Sequence, residues 1–168
     1  MGLPCSTPVC RKSLAGGYMN HRSCGSCVEC CNTLAIPTLQ KPRCTACPHL
    51  KRPKKRKRGG CGIYHKRPDE CRSFQCEWTA GHLDRNRRPD KSGIMAYWVD
   101  SQFGESLLIT ETRPSAFDKS TEALEEALAL AHGQGKAALL ATLDGQGTAI
   151  LPDSAAPPES TMGTEGSE

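Results

Sequence analysis

Eleven cysteines, all between Cys5 and Cys76, constrain this chain more than any other feature. Nine of them form a spaced constellation: Cys24-x2-Cys27-x2-Cys30-Cys31, then Cys44-x2-Cys47, then Cys61, Cys71 and Cys76. The stretch from Glu77 to Glu168 has none. Only three Phe, three Tyr and two Trp are spread over 168 residues, and most follow the first cysteine group. A segment this poor in apolar side chains cannot build a core of useful size, so disulfides or metal must hold it.

Compartment separates those two options. The start MGLPCSTPVCRKSLAGGYMN has no apolar run of signal-peptide length. No stretch approaches the roughly 18 apolar residues of a membrane span. These features predict a cytoplasmic chain with no membrane partner, in which thiols stay reduced and clustered cysteines read as metal ligands or redox thiols. The odd number of cysteines also argues against a closed disulfide scaffold.

The spacing bears on the metal. In a CxxC turn both sulfurs point inward and backbone N–H groups can donate to them, so two thiolates reach one ion. A structural zinc site takes four ligands, often two CxxC pairs. Cys24, Cys27, Cys44 and Cys47 can supply such a site. Cys-x2-Cys-x2-Cys is also the three-ligand part of a bacterial ferredoxin run, and Cys47-Pro48 matches the Cys-Pro that often supplies the fourth ligand. Adjacent residues tend to point apart, so Cys30 and Cys31 either serve two centres or include one spare thiol. Nine cysteines exceed the four that one centre needs, whereas eight satisfy two zinc ions or two clusters. His49 and His65 are potential substitutes, each read first as a solvated or capping residue. Cys61 with His65 is the one pairing that would suggest a reactive thiol, but the metal claims the same cysteine.

The formal net charge of +4 hides an asymmetry. Residues 1–100 carry 19 Lys and Arg against 7 Asp and Glu, a balance of +12, and residues 101–168 carry 3 against 11, a balance of −8. Eight thiolates on two divalent ions would reduce the first figure to about +8, so part of the basic excess offsets thiolate charge. Seven Lys and Arg crowd into 51–58 in LKRPKKRKRGG. That run can bind phosphates, or act as a nuclear import signal in a eukaryotic host. No aromatic residue is interleaved to stack on bases, and a solvated loop between Cys47 and Cys61 is the plainer reading.

Residues 1–20 read as disordered, with a loose myristoylation pattern at MGLPCS and Cys5 as a second acylation site. Residues 21–93 form the cysteine-rich unit and its polar connector, as loops and short helical turns. Arg67, Pro68 and Asp69 predict a turn capping a short helix at 69–75. Arg72 is placed to neutralise thiolates, and Tyr64, Phe74 and Trp78 are expected to form a mini-core beside the metal. Residues 94–152 change character. IMAYWVD and SLLITET read as strands joined at Gln102-Phe103-Gly104. Residues 120–131 read as a helix capped by Ser120 or Thr121, with Glu122 in its first turn and Gly133 at its end. Leu124, Ala127, Leu128 and Ala131 share one face of it. KAALLATLD and TAILP read as a second strand pair around Asp144-Gly145. The fold class is therefore α+β: a small metal-stapled loop and short-helix unit, then a ββαββ segment with one sheet face under one helix. Residues 153–168 read as a disordered tail.

These residues carry a resemblance. CGSCVECC, KPRCTACPHL, GCGIYHKRPDECRSFQCEW and RPDKSGIM together resemble the CxxCxxCC family of zinc- or iron-chelating proteins, over roughly residues 21–100. The resemblance implies metal-ligand roles for Cys24, Cys27, Cys30, Cys31, Cys44, Cys47, Cys61, Cys71 and Cys76. Cys5 and Cys10 fall outside it. The cofactor it implies is one or two zinc ions or an iron–sulfur cluster. Some longer proteins with this module are linked to protein lysine methylation. The present sequence has no Cys-x3-Cys-x2-Cys run, so that activity is not carried over. The basic run at 51–58 departs from the short polar loop usual at that point.

Three functions follow as expectations. The first is a zinc- or iron-chelating protein whose role lies in contact with a protein partner. The second is an iron–sulfur redox protein or oxidoreductase component. The third is a zinc-stapled nucleic-acid-binding module using 51–58. The sequence shows no Gly-rich phosphate loop, HExxH or Ser-His-Asp spacing, so no catalytic residues are assigned.

Overall fold

A computed structural model describes residues 22–51 and 59–152. The expectations for 1–20, for 52–58 of the basic run and for 153–168 lie outside these residues, as do Cys5 and Cys10.

The cysteine-rich part has little regular structure, as its lack of periodicity predicts. Its elements are α1 (Glu29–Thr33), a 3-10 turn at Pro37–Leu39, a hairpin of two-residue strands β1 (Leu50–Lys51) and β2 (Gly60–Cys61), a 3-10 turn at Tyr64–Lys66, α2 (Asp69–Ser73) and α3 (Glu77–Ala80). Helices of four or five residues cannot sustain themselves by backbone hydrogen bonding, because nucleation costs more than so few bonds return. They are held by tertiary contacts. The connector is more ordered than a plain polar linker. It forms a 3-10 turn at Arg85–Arg87, where Asp84 accepts from the N–H of Asn86, and then α4 (Pro89–Ser92). Arg87 bridges Glu122 at 2.6 Å and Glu126 at 3.3 Å, tying the connector to the later helix.

The second part is the predicted ββαββ segment, and the protein is α+β. β3 (Ile94–Ser101) and β4 (Gly104–Glu111) pair antiparallel about a two-residue loop, Gln102-Phe103. A short helix α5 (Ala116–Lys119) leads into α6 (Thr121–His132), which carries the chain back so that β5 (Ala137–Ala141) runs parallel to β4. β6 (Gly147–Ile150) closes the sheet antiparallel after the Asp144-Gly145 turn, giving the order β3-β4-β5-β6. Ser120 holds the N-cap position of α6, but its hydroxyl donates to the Ser92 carbonyl at 2.6 Å and leaves the helix N–H groups uncapped by it.

The face expected from Leu124, Ala127, Leu128 and Ala131 is the one that packs on the core, and two details go beyond the sequence reading. The buried stripe of α6 is Ala123, Ala127 and Ala131, at i, i+4 and i+8, with Leu124 and Leu128 at its flank. Alanines let the helix lie close on the sheet. The second detail concerns the sheet itself, because six successive residues of β3 (Ile94–Val99) and six of β4 (Ser106–Glu111) are buried. Alternation puts neighbours on opposite faces, so the central hairpin is covered on both. Leu107, Ile109 and Glu111 share the face beneath α5 and α6, where Glu111 Oε1 accepts from the N–H of Phe117. Tyr97, Leu108 and Thr110 share the other face, which receives the cysteine-rich unit. Phe74 meets Tyr97 edge to face at 5.2 Å between ring centres, a geometry worth about 0.5–1.5 kcal/mol beyond area burial. Arg43 donates to Thr110 Oγ1 at 2.8 Å. The two parts thus share one core.

The expected mini-core is only partly realised. Phe74 and Trp78 pack into the core, whereas Tyr64 is 57 % exposed. Tyr64 instead lies under the Arg67 guanidinium, 3.8 Å from its ring centre. No helix among the described residues is long and apolar enough to cross a membrane.

Leu107, fully buried, and Leu151, 56 % exposed, make a matched pair. Leu107→Ala should destabilise the protein by about 2–5 kcal/mol, and Leu151→Ala by about 0.5 kcal/mol or less. Denaturant midpoints measure both.

Candidate metal centre

The cysteines are brought together by backbone hydrogen bonds, most of them local. Cys27 N–H donates to the Cys24 carbonyl at 3.0 Å, closing the first CxxC turn through Gly25, whose φ of +58° suits glycine. α1 then carries Cys30 and Cys31. The chain reverses and returns beside that helix: Cys44 N–H donates to Thr33 O and Cys47 N–H to Cys31 O, each at 2.9 Å. Leu50 N–H donates to Cys47 O, and Leu50 is the strand partner of Cys61. Gly62 follows under the His49 carbonyl, which a Cβ there would approach to 2.9 Å. α2 presents Cys71 from a further direction, and Cys76 caps α3 in the core.

Seven thiols line one cavity of ≈ 600 Å³: Cys24, Cys27, Cys30, Cys31, Cys47, Cys61 and Cys71. Leu34, Ile36 and Phe74 supply apolar wall, and Arg22 and Arg67 supply charge. Cys76 is buried behind this wall, its sulfur 3.5 Å from Thr79 Oγ1, yet within electrostatic reach of Cys24 and Cys27. Cys44 is exposed and does not line the cavity. Neither His49 nor His65 is on its wall, and His65 packs against the exposed Tyr64. Among the described residues, no three His, Cys, Asp or Glu side chains are gathered so as to hold a metal ion as they stand.

The thiols differ in how readily they ionise. Burial pushes the Cys27 and Cys71 thiols up to about 11, with Cys31, Cys47 and Cys61 adding repulsion at Cys71. Burial also raises Cys24, with the neighbouring Cys76 adding to it. Cys30 and Cys31 are coupled through a thiol–thiolate hydrogen bond. It holds the proton on Cys30, raised well above the ordinary range, and brings Cys31 down to about 7. Lys41 and Arg67 assist the Cys31 thiolate.

The cations facing the thiols are not the one expected. Arg72 is 62 % exposed and reaches only Asp69, at 3.9 Å. Lys41 is instead 4 % exposed, and its ammonium donates to the carbonyl oxygens of Leu34 and Pro42. A lysine so placed usually needs a carboxylate; here burial lowers the Lys41 ammonium from its usual range, and the groups near it that can take up negative charge are the thiols of Cys47, Cys31, Cys44 and Cys30. Arg88 grips Asp90 through two bonds of 2.6 and 2.8 Å, reaches Ser26 Oγ at 3.3 Å, and faces Cys27 and Cys24. Composition reveals the basic excess but not which cations turn inward. The signal for Lys41 and Arg88 lay in their motifs, KPRC and RPDKSG, where each sits within a few residues of a chain reversal.

In reduced chain treated with chelator, Cys31 should be the first cysteine to alkylate as pH rises, with a midpoint near 7. Lys41→Met should move that midpoint upward, because it removes a cation that favours the thiolate. Peptide mapping after iodoacetamide treatment at graded pH measures it. Uniform labelling with a midpoint near 8.5, the ordinary value, would contradict the assignment.

Compared with protein-family models, with curated proteins and with solved structures, the chain gives no match in any of the three.

Proposed function

We propose that this chain chelates zinc or iron through cysteine thiolates. The observation that carries the reading is the convergence of seven thiols from four separated stretches of chain on one cavity. Free thiols with no common purpose have no reason to point at one another. Burial raises the proton affinity of Cys24, Cys27 and Cys71, and lining a cavity with thiols costs the chain apolar packing it can hardly spare. A bound metal ion reverses that cost, because it replaces protons and keeps the thiolates charged but compensated. The residues fit the donor set of such a group: soft thiolates select zinc or iron–sulfur centres over hard cations.

One observation favours the iron–sulfur form. The thiols surround a cavity of ≈ 600 Å³ but are not gathered around a point. A closed zinc site draws four sulfurs to about 2.3 Å from one ion. A cluster spreads its thiolates, since several irons and bridging sulfides lie between them.

Chain purified without air, then analysed for zinc, iron and acid-labile sulfide, tests both statements. Iron with comparable sulfide and a brown colour supports the cluster. Colourless protein holding zinc overturns the cluster and keeps chelation. Protein that holds no metal, and takes up neither zinc nor iron with sulfide, overturns chelation. Affinity should rise with pH across the range in which Cys27 and Cys71 would otherwise hold protons, because binding releases those protons.

A further inference from the structure

The adjacent pair Cys30-Cys31 divides the thiols. Consecutive residues of a helix project about 100° apart, and α1 sends these two in different directions. Cys30 packs against the hydrophobic core that also contains Cys76. Cys31 lies where the returning chain docks, its carbonyl accepting from Cys47 N–H at 2.9 Å. We propose that eight of the nine cysteines form two metal-binding sets, Cys24, Cys27, Cys30 and Cys76 on the side of α3 and α4, and Cys31, Cys47, Cys61 and Cys71 on the side of the β1–β2 hairpin, with Cys44 in neither. This rests on the chelation reading above and deepens it by assigning the ligands.

Independent contacts place the first set. Arg22 N–H donates to the Thr79 carbonyl at 2.9 Å, laying the approach to Cys24 along α3, whose cap is Cys76. Arg88 of the connector reaches Ser26 inside the Cys24–Cys27 turn. Cys76 is within electrostatic reach of both Cys24 and Cys27, and these two are within reach of Cys30.

The second set has its own framework. Cys47 is bonded to Cys31 through the backbone and to Leu50, the strand partner of Cys61. Cys71, arriving on α2, has as its thiol neighbours Cys31, Cys47 and Cys61. Each set also faces its own cation. Arg88 acts on Cys27 and Cys24, and Lys41 acts first on Cys47 and Cys31, with Cys44 and Cys30 after them. Arg67 stands between, beside Cys24 and Cys31. The sets touch where the Cys30 thiol meets Cys31, and Cys24 also senses Cys31. A negative centre on each side needs a countercharge on each side, and the cations are divided accordingly.

Cys44 stands apart. It is exposed, sits at φ +56° and lines no part of the cavity. It pairs with Cys47 in the sequence as a CxxC, but Cys44 N–H turns to Thr33 O while Cys47 turns to Cys31 O.

The test is the zinc and iron content of full-length variants purified without air, each checked by circular dichroism for an intact sheet. Cys24→Ser and Cys71→Ser should each lower metal per chain about two-fold. Cys24→Ser with Cys27→Ser should lose no more than Cys24→Ser alone. Cys24→Ser with Cys71→Ser should lose nearly all, and Cys44→Ser none. Should Cys71→Ser fail to fold, Cys61→Ser carries the same expectation. Loss of all metal from one single variant, or loss on Cys44→Ser, would overturn the two sets while leaving chelation standing. Wild-type chain that binds no metal would overturn chelation, and the two sets with it.

Discussion

The contact on which the rest of this structure depends lies between a sheet face and a set of loops too small to stand alone. The described residues of 22–81 form three α-helices of five residues or fewer, two 3-10 turns and a hairpin of two-residue strands. Nothing of that length persists by itself in water. What fixes these pieces is their docking on β3 and β4, through Phe74 on Tyr97 and Arg43 on Thr110, and their enclosure of a common thiol-lined cavity. The sheet supplies the floor and α6 buttresses it from behind. Its central hairpin, apolar on both faces, is the one element that belongs to both parts.

The electrostatics follow from that arrangement. Burying thiols raises their affinity for protons, and the protein offsets this at selected positions with cations turned inward. The buried Lys41 ammonium makes chemical sense only beside anions, and its neighbours are thiols rather than carboxylates. A wall of thiols that remained protonated would leave Lys41 desolvated for no return. Thiolates on the proposed metal would give it a partner. The basic excess of the first half of the chain is therefore partly structural, and Lys41, Arg67 and Arg88 are its working members.

Much of the second half was legible in the sequence because its apolar runs are bounded by turns and its helix is periodic. IMAYWVD and SLLITET, the loop before Gly104, and the Ser120-to-Gly133 helix placed β3, β4 and α6 within a residue or two of their observed bounds, whereas KAALLATLD overran β5 by three residues and α5 had no signal. The burial of both sheet faces was harder to read. Six successive apolar or small residues in β3 give no alternation to follow, and the layer covering the second face has no periodicity of its own. In the cysteine unit, spacing identified the thiols but not their arrangement. That Cys44 turns outward while Cys47 turns inward depends on tertiary hydrogen bonds to Thr33 and Cys31. Tyr64 was misplaced for a related reason. It belongs to an aromatic-rich block, but it sits on an exposed 3-10 turn where Arg67 covers its ring.

If metal secures the cysteine unit, its amide protons should be better protected while metal is bound. Hydrogen exchange followed before and after exhaustive chelation under reducing conditions reads this segment by segment. The account predicts that residues 22–51 and 59–78 exchange markedly faster on chelation, through more frequent opening from the docked state, while β3, β4, β5 and α6 keep most of their protection. Protection at 22–50 unchanged by chelation, in protein shown to be free of metal, would contradict it.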